Sequence, residues 1–443
     1  MRNRFSSIRA VILAVTALIA TAVLVACSAK YASTSNGLVV VSTQGSAVMD
    51  TFSLDLGNGH MTQIFNSAGP PTSGVPTTVV LAPGGSFAYV LLTASKDLTG
   101  SSTGIGAFPV ASDGKLGASA ATTPLNPEII TLPGNQTEKV PAVPTAMIID
   151  SAGKFLFLSD SSTADSSARF IPGAVSVFSI GSGGGLTEVT NSPFVLPIGG
   201  PNVTNPTPCP ASVTCSSASA LAITPTIYPP AYALCSGNAP PTTENLFVTD
   251  SVSYTVLNYS VGSTGALTLV PSSSSVAGVA TGTVPSGVTV DPCNRFVYVS
   301  NGQPNDTVSA FTMCSMVSLP LCPVADFHLI PVVGSPFVAG PGPVALIVDP
   351  LAAYLYVLDQ GENAIRPYKI STTTGALTPL SPATVATNSY PTSIAIRSDD
   401  SWMFVTNLNQ ANLSQYAITP ATGALSPQPP VQTDNNPWGV AVK

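Results

Sequence analysis

Residues 285–311 read Pro285-Ser286-Gly287-Val288-Thr289-Val290-Asp291-Pro292-Cys293-Asn294-Arg295-Phe296-Val297-Tyr298-Val299-Ser300-Asn301-Gly302-Gln303-Pro304-Asn305-Asp306-Thr307-Val308-Ser309-Ala310-Phe311. Three short β-prone runs lie in this stretch. Residues 287–290 lead into an Asp-Pro turn at Asp291 and Pro292. Residues 296–300 are aromatic and β-branched and stop at Asn301-Gly302, and residues 307–311 alternate after a polar loop. β-branched and aromatic runs cut by Gly, Pro, Asn and Asp predict antiparallel strands joined by turns.

The chain repeats this pattern loosely. A Pro followed by apolar alternation, read as an innermost strand, recurs at Pro76, Pro144, Pro285, Pro343, Pro391 and Pro437, with a Pro-less copy at Ser219. The second run recurs from Leu38, Phe87, Phe155, Asn245, Phe296, Tyr354 and Trp402. A third strand and a hairpin complete each unit, the hairpin being clearest at Thr264-Gly265-Ala266-Leu267, Thr374-Gly375-Ala376-Leu377 and Thr422-Gly423-Ala424-Leu425. Weaker copies surround Gly59, Gly114 and Gly184, and the fifth unit carries Cys314 and Cys322 there instead. Seven units of four strands predict an all-β, seven-bladed β-propeller with four-stranded antiparallel blades. The chain opens on a second-strand run and closes on an inner-strand run, so the last strand should complete the first blade and shut the ring. Stretches 97–104, 118–143, 164–172, 199–217 and 225–243 read as loop insertions, and 37–443 as one domain.

Composition agrees with strands and turns. Only 8% of the 443 residues are charged, 44% are hydrophobic, and Pro (42) and Gly (36) are abundant. That much apolar material argues against disorder, and the formal charge of −7 makes nucleic acid a poor partner. Residues 1–26 read as a lipoprotein signal peptide: Arg2, Arg4 and Arg9 precede an apolar stretch, 11–25, that is short for a membrane span. Leu24-Val25-Ala26-Cys27 resembles the bacterial lipobox, which implies cleavage before Cys27 and a lipid on its thiol. Residues 27–36 would be the lipidated tether. Ser28 after the Cys implies the outer membrane by analogy with Gram-negative sorting.

Six further cysteines, Cys209, Cys215, Cys235, Cys293, Cys314 and Cys322, suggest disulfides in an exported chain. Cys209 with Cys215 and Cys314 with Cys322 are close in sequence. Cys235 and Cys293 fall in equivalent turns of neighbouring units and would tie two blades together. The spacings do not suit zinc.

Phe296-Val297-Tyr298-Val299-Ser300-Asn301 and Trp402-Met403-Phe404-Val405-Thr406-Asn407 resemble the YVTN repeat. With the Thr-Gly-Ala-Leu hairpins, residues 37–443 resemble the lactonase-type seven-bladed propeller family, which includes 6-phosphogluconolactonase-like proteins. The resemblance implies a central site of His, Arg and Glu. The chain is poor in these. Its two His are His60, at a hairpin turn, and His328, in an outer strand. Past the signal, its Arg are Arg169, Arg295, Arg366 and Arg397, and its Glu are Glu128, Glu138, Glu188, Glu244 and Glu362. No catalytic residue is assigned, and no cofactor is expected.

Asp160, Asp250, Asn301, Asp359 and Asn407 recur at the end of the second strand. They are either a ring of oxygen ligands for a cation or caps on turn backbone, and the recurrence favours caps. Asp150, Asp291 and Asp349 mark the opposite turns. The functional expectation is therefore a monomeric, lipid-anchored envelope scaffold. It would bind a protein, glycan or small molecule on a loop-rich face. A lactonase-like hydrolase with a degenerate site is the alternative.

Overall fold

The computed structural model describes residues 36–443 except 65–71, 95–102, 120, 126–127, 133–135, 141, 165–169, 198–214, 226–234, 236–242, 273–276, 316–321 and 323–325. The signal peptide, Cys27, most of the tether, Arg169 and Cys209 lie outside the described residues.

Seven antiparallel sheets follow one another along the chain, and each inner strand contacts the next around a closed ring. The protein is a seven-bladed β-propeller. Blade 1 takes its inner strand from the C-terminus: Pro437–Val442 pairs with Gly37–Thr43, followed outward by Val48–Leu54 and Met61–Gln63. The inner strands of blades 2 to 7 are Val75–Leu81, Pro144–Ile149, Ala218–Ile223, Pro285–Val290, Pro343–Val348 and Pro391–Ile396. The second strands are Phe87–Thr93, Phe155–Asp160, Glu244–Asp250, Phe296–Asn301, Tyr354–Asp359 and Trp402–Asn407.

The second strands are apolar almost throughout because both their faces are buried. Successive side chains point to opposite faces, so Phe296 and Tyr298 pack toward blade 6 while Val297 and Val299 pack toward blade 4. The core is thus seven slabs, one at each interface between neighbouring blades.

The hairpin glycines explain how neighbours lock. Gly375 of blade 6 has φ 74°, and a Cβ there would sit 2.5 Å from the Phe296 ring of blade 5. Gly423 meets Tyr354, Gly184 meets Phe87 and Gly59 meets Trp402 in the same way. The tyrosines Tyr298 and Tyr356 each donate to the carbonyl of the next blade's hairpin Gly, at 3.0 Å. The repeated Gly therefore serves both the left-handed turn and the close approach of an aromatic ring.

The blades follow the expected four-strand path. The outer strand of blades 3 to 6 is broken into two short pieces, such as Leu329–Pro331 and Phe337–Val338 in blade 5. A Ser-Pro step interrupts it in blades 3, 5 and 6, and Pro cannot donate to a ladder. In blades 3 and 5 the Ser hydroxyl takes over as acceptor for the third strand: Val177 N–H donates to Ser192 Oγ and Ala310 N–H to Ser335 Oγ, both at 2.9 Å. One expectation needs correction: stretch 118–143 is not all loop. It holds the outer strand of blade 2, Ala121–Pro124, and a separate hairpin, Glu128–Leu132 with Gln136–Val140.

The disk has two unlike faces. Its turn face carries the connections from inner to second strand and the third-to-outer hairpins. Its loop face carries the second-to-third loops and the connections from one blade to the next.

Candidate functional site

The seven inner strands surround the axis, and none contains an ionisable side chain. Near its loop-face end each inner strand has a register shift against the second strand. Such bulges re-aim side chains. Here they turn hydroxyls across the blade boundary. Ser219 donates to Pro285 O of the next blade at 2.7 Å, Ser286 to Pro343 O at 2.6 Å, and Thr392 to Trp438 O at 2.9 Å. Blade 6 has Val344 at this position, and the Gln360 amide donates to Pro391 O instead.

The residue just before the inner strand forms the rim of this mouth. Its carbonyl accepts from the first amide beyond the second strand: Val143 O from Ser161 N–H, Val284 O from Gly302 N–H, Tyr390 O from Leu408 N–H and Asn436 O from Gln44 N–H, at 2.9–3.0 Å. Ser217 and Gly342 fill the role in blades 4 and 6. Val284, Tyr390 and Asn436 hold φ of 48°, 61° and 57°. A β-branched residue at positive φ is an outlier, and such outliers gather at sites of function. Four apolar side chains at the mouth are open to solvent. Val143 and Val284 are each 45% exposed, Tyr390 42% and Trp438 37%. The sequence reading missed these residues, although each borders the Pro that marks the repeat.

The five Asp and Asn side chains at the second-strand ends are buried and engaged by protein. Asp250 accepts from the amides of Ser217, Val252 and Ser253. Asn301 accepts from Gly282 N–H and donates to Ser309 Oγ. Asn407 donates to Asn412 Oδ1 and Ser414 Oγ. Asp359 accepts from Gly340 N–H and from Arg366 Nε, whose Nη2 also reaches Glu362. Among the described residues no three His, Cys, Asp or Glu side chains are grouped to hold a metal ion.

Electrostatics distinguish the faces. Arg366 is the only Lys or Arg among the described side chains at the loop-face ends of the strands, where Asp50, Asp160, Asp250, Asp306, Asp359, Glu362 and Asp434 gather. Lys115, Lys154, Arg295, Arg397 and Lys443 belong to the turn face. Burial pushes Asp359 up to about 7, against the pull of Arg366. Burial likewise raises Asp50 and Asp349 to about 6, and Asp400 to about 7 with help from the nearby Asp349 charge. These folded-state values lie above the unfolded one. Between roughly pH 4 and pH 7 the native state therefore holds protons that the unfolded chain has released, and stability falls as pH rises through that window. Thermal unfolding is expected at a higher temperature at pH 5 than at pH 8, with the difference reduced in Asp400→Asn. An equal or higher melting temperature at pH 8 would contradict this.

The remaining sequence candidates lie away from the mouth. His60 is exposed in the hairpin of blade 1. His328 sits at the edge of blade 5, between Asp326 and Cys314. Arg295 pairs with buried Asp291 on the turn face, and Arg397 pairs with Asp399. Asp150 and Asp349 cap the same turn in blades 3 and 6. Cys235 is bonded to Cys293, linking blades 4 and 5, and Cys314 to Cys322. Cys215 is buried and also disulfide-bonded. No helix of the described residues is long and apolar enough to cross a membrane.

Comparison with known proteins supports the fold. Residues 323–440 match the family model described as Lactonase, 7-bladed beta-propeller. A Bacteroides fragilis protein described as a candidate 6-phosphogluconolactonase superposes with TM-score 0.64 at 16% identity, over 93% of this chain and 99% of its own. A periplasmic gluconolactonase of Pseudomonas aeruginosa gives TM-score 0.63 at 15% identity, over 92% and 99%. A Lactobacillus plantarum protein gives 0.60 at 17%, over 92% and 99%. At such identity the likeness is one of fold. No curated protein matches the chain in sequence.

Proposed function

We propose that this lactonase-like propeller is a lipid-anchored envelope protein that binds a neutral glycan at its loop-face mouth, held at the membrane through Cys27. The observation that carries the reading is the inner ring without ionisable side chains, opening among exposed Trp438 and Tyr390. Sugars offer apolar ring faces and many hydroxyls. Aromatic rings set among hydroxyl and amide groups suit both. A phosphorylated sugar fits poorly, because the loop-face acids repel it and Arg366 is already engaged by Asp359 and Glu362.

A lactone hydrolase is the second reading. Asp359, titrating at about 7 beside Arg366, has the proton affinity of a general base at neutral pH, and the fold resembles gluconolactonases. The two readings separate in one set of measurements. Calorimetric titration of the purified chain with neutral envelope oligosaccharides should show binding, weakened about tenfold in Trp438→Ala, which is the order of an aromatic contact. Gluconolactone opening followed by pH-stat should not exceed the buffer rate. Turnover that disappears in Asp359→Asn would overturn the binding reading. Palmitate labelling of cells should be lost in Cys27→Ala if the anchor is lipid.

A further inference from the structure

At the edge of blade 5, far from the mouth, three side chains that differ in chemistry are held together. His328 Nε2 lies 3.5 Å from Cys314 Sγ, and His328 Nδ1 is bonded to the Asp326 carboxylate. The backbone sets the arrangement. Cys314 N–H donates to His328 O at 2.9 Å, and Phe327 N–H donates to Cys314 O at 2.9 Å. Phe327 is held in turn from blade 4, through Asn258 Nδ2 to its carbonyl at 2.7 Å. Cys314 is bonded to Cys322, eight residues on. The second disulfide, Cys235–Cys293, packs instead against Ala352, and its sequence separation is 58.

A carboxylate that orients an imidazole, whose other nitrogen faces a sulfur, is the arrangement that activates cysteine nucleophiles. Here the sulfur is oxidised, so the same geometry favours its departure. The leaving thiol's proton affinity governs exchange rates. We propose that Cys314–Cys322 is an exchange-active disulfide, opened by dithiol reductants with His328 as the acid.

The thiolate of the dithiol attacks Cys322 Sγ, because His328 Nε2 stands against Cys314 Sγ and so serves Cys314 as the departing sulfur. A bond forms between the incoming sulfur and Cys322 as the Cys314–Cys322 bond breaks. Its electron pair passes to Cys314 Sγ, which takes the proton from His328 Nε2. The second thiol of the reductant then displaces Cys322 as a thiolate. The protein gains two electrons and the reductant leaves as its own disulfide. Asp326 is a positioning residue, holding the imidazole by Nδ1 so that Nε2 faces the Cys314 sulfur. The short loop also makes Cys314–Cys322 the weaker entropic crosslink of the two.

The test uses the full chain in detergent, treated with dithiothreitol, quenched by alkylation and mapped by mass spectrometry. Cys314–Cys322 should open at least about tenfold faster than Cys235–Cys293, a modest gain for general acid catalysis. His328→Gln should slow it by a similar factor and leave Cys235–Cys293 unchanged. In the unmodified protein, the rate per dithiothreitol thiolate should fall as pH rises, and this slope should vanish in His328→Gln. Equal opening of the two disulfides, or a rate indifferent to both pH and His328, would overturn the proposal. The pH profile of the unmodified chain decides the question even if the variant misfolds.

Discussion

A chain ending at Asn436 is expected to show no cooperative thermal unfolding. The missing strand, Pro437–Val442, is the inner strand of blade 1 and sits between blades 7 and 2. It pairs Val442 with Val39, Ala441 with Val40 and Val440 with Val41. Lys443 and Leu38 exchange both backbone hydrogen bonds, at 2.9 and 3.1 Å, and Gly439 N–H donates to Ser42 Oγ at 2.9 Å. Each lost bond costs about 1 kcal/mol, and losing the burial of Val440 costs about 2 kcal/mol more. The loss also uncovers the slabs shared by blades 7 and 1 and by blades 1 and 2. The sum approaches the ~5–15 kcal/mol by which a whole domain is stable. Near-ultraviolet circular dichroism against temperature would check it. A sharp transition within about 5 °C of the complete chain would show that the ring does not depend on its last strand.

The second large effect is expected at Arg295. Its guanidinium is buried, with Nε 2.8 Å and Nη2 2.7 Å from the fully buried carboxylate of Asp291. It also donates to the carbonyls of Thr372 and Ala352 in blade 6, each at 3.2 Å. Arg295→Ala leaves the Asp291 charge without its partner, which typically costs about 3–5 kcal/mol, or a melting shift of about 3–5 °C in a chain this long. Lys154 occupies the equivalent turn position in blade 3 but is exposed, lying 4.7 Å from the centre of the Phe155 ring. Lys154→Ala should cost less than about 1 kcal/mol. Similar small shifts for both variants would show that burial does not set the value of the Arg295 pair.

The contrast between these turns shows where a sequence stops being legible. Asp150, Asp291 and Asp349 can be found by counting from the repeat, because each closes its own turn through amides four or five residues on. Nothing in the local sequence says that Arg295 is buried and Lys154 exposed. The difference lies in the neighbouring blade: blade 6 receives the Arg295 guanidinium at two carbonyls, Thr372 and Ala352, whereas blade 4 receives the Lys154 ammonium at one, Ser263.

The fold-defining features share a local origin. A strand buried on both faces must be apolar along its length, and a left-handed hairpin position must be Gly or nearly so. Repetition of those two constraints made seven blades and the closing strand readable. The disulfides Cys235–Cys293 and Cys314–Cys322 join cysteines that the repeat places in matching turns or close in sequence.

The site depends on what ring closure brings together. Val143, Val284, Tyr390 and Trp438 are separated by up to 295 positions in the chain and are unremarkable apolar residues in their own segments. They become a rim only because seven inner strands begin at one end of one axis. Likewise Asp326, His328 and Cys314 are a polar loop until the hairpin ladder sets imidazole against sulfur. Local backbone preference and two-sided burial are written residue by residue. Which side chains meet, and which are left facing water, was decided by the tertiary structure, because those contacts span blades whose order around the axis exists only once the ring is shut.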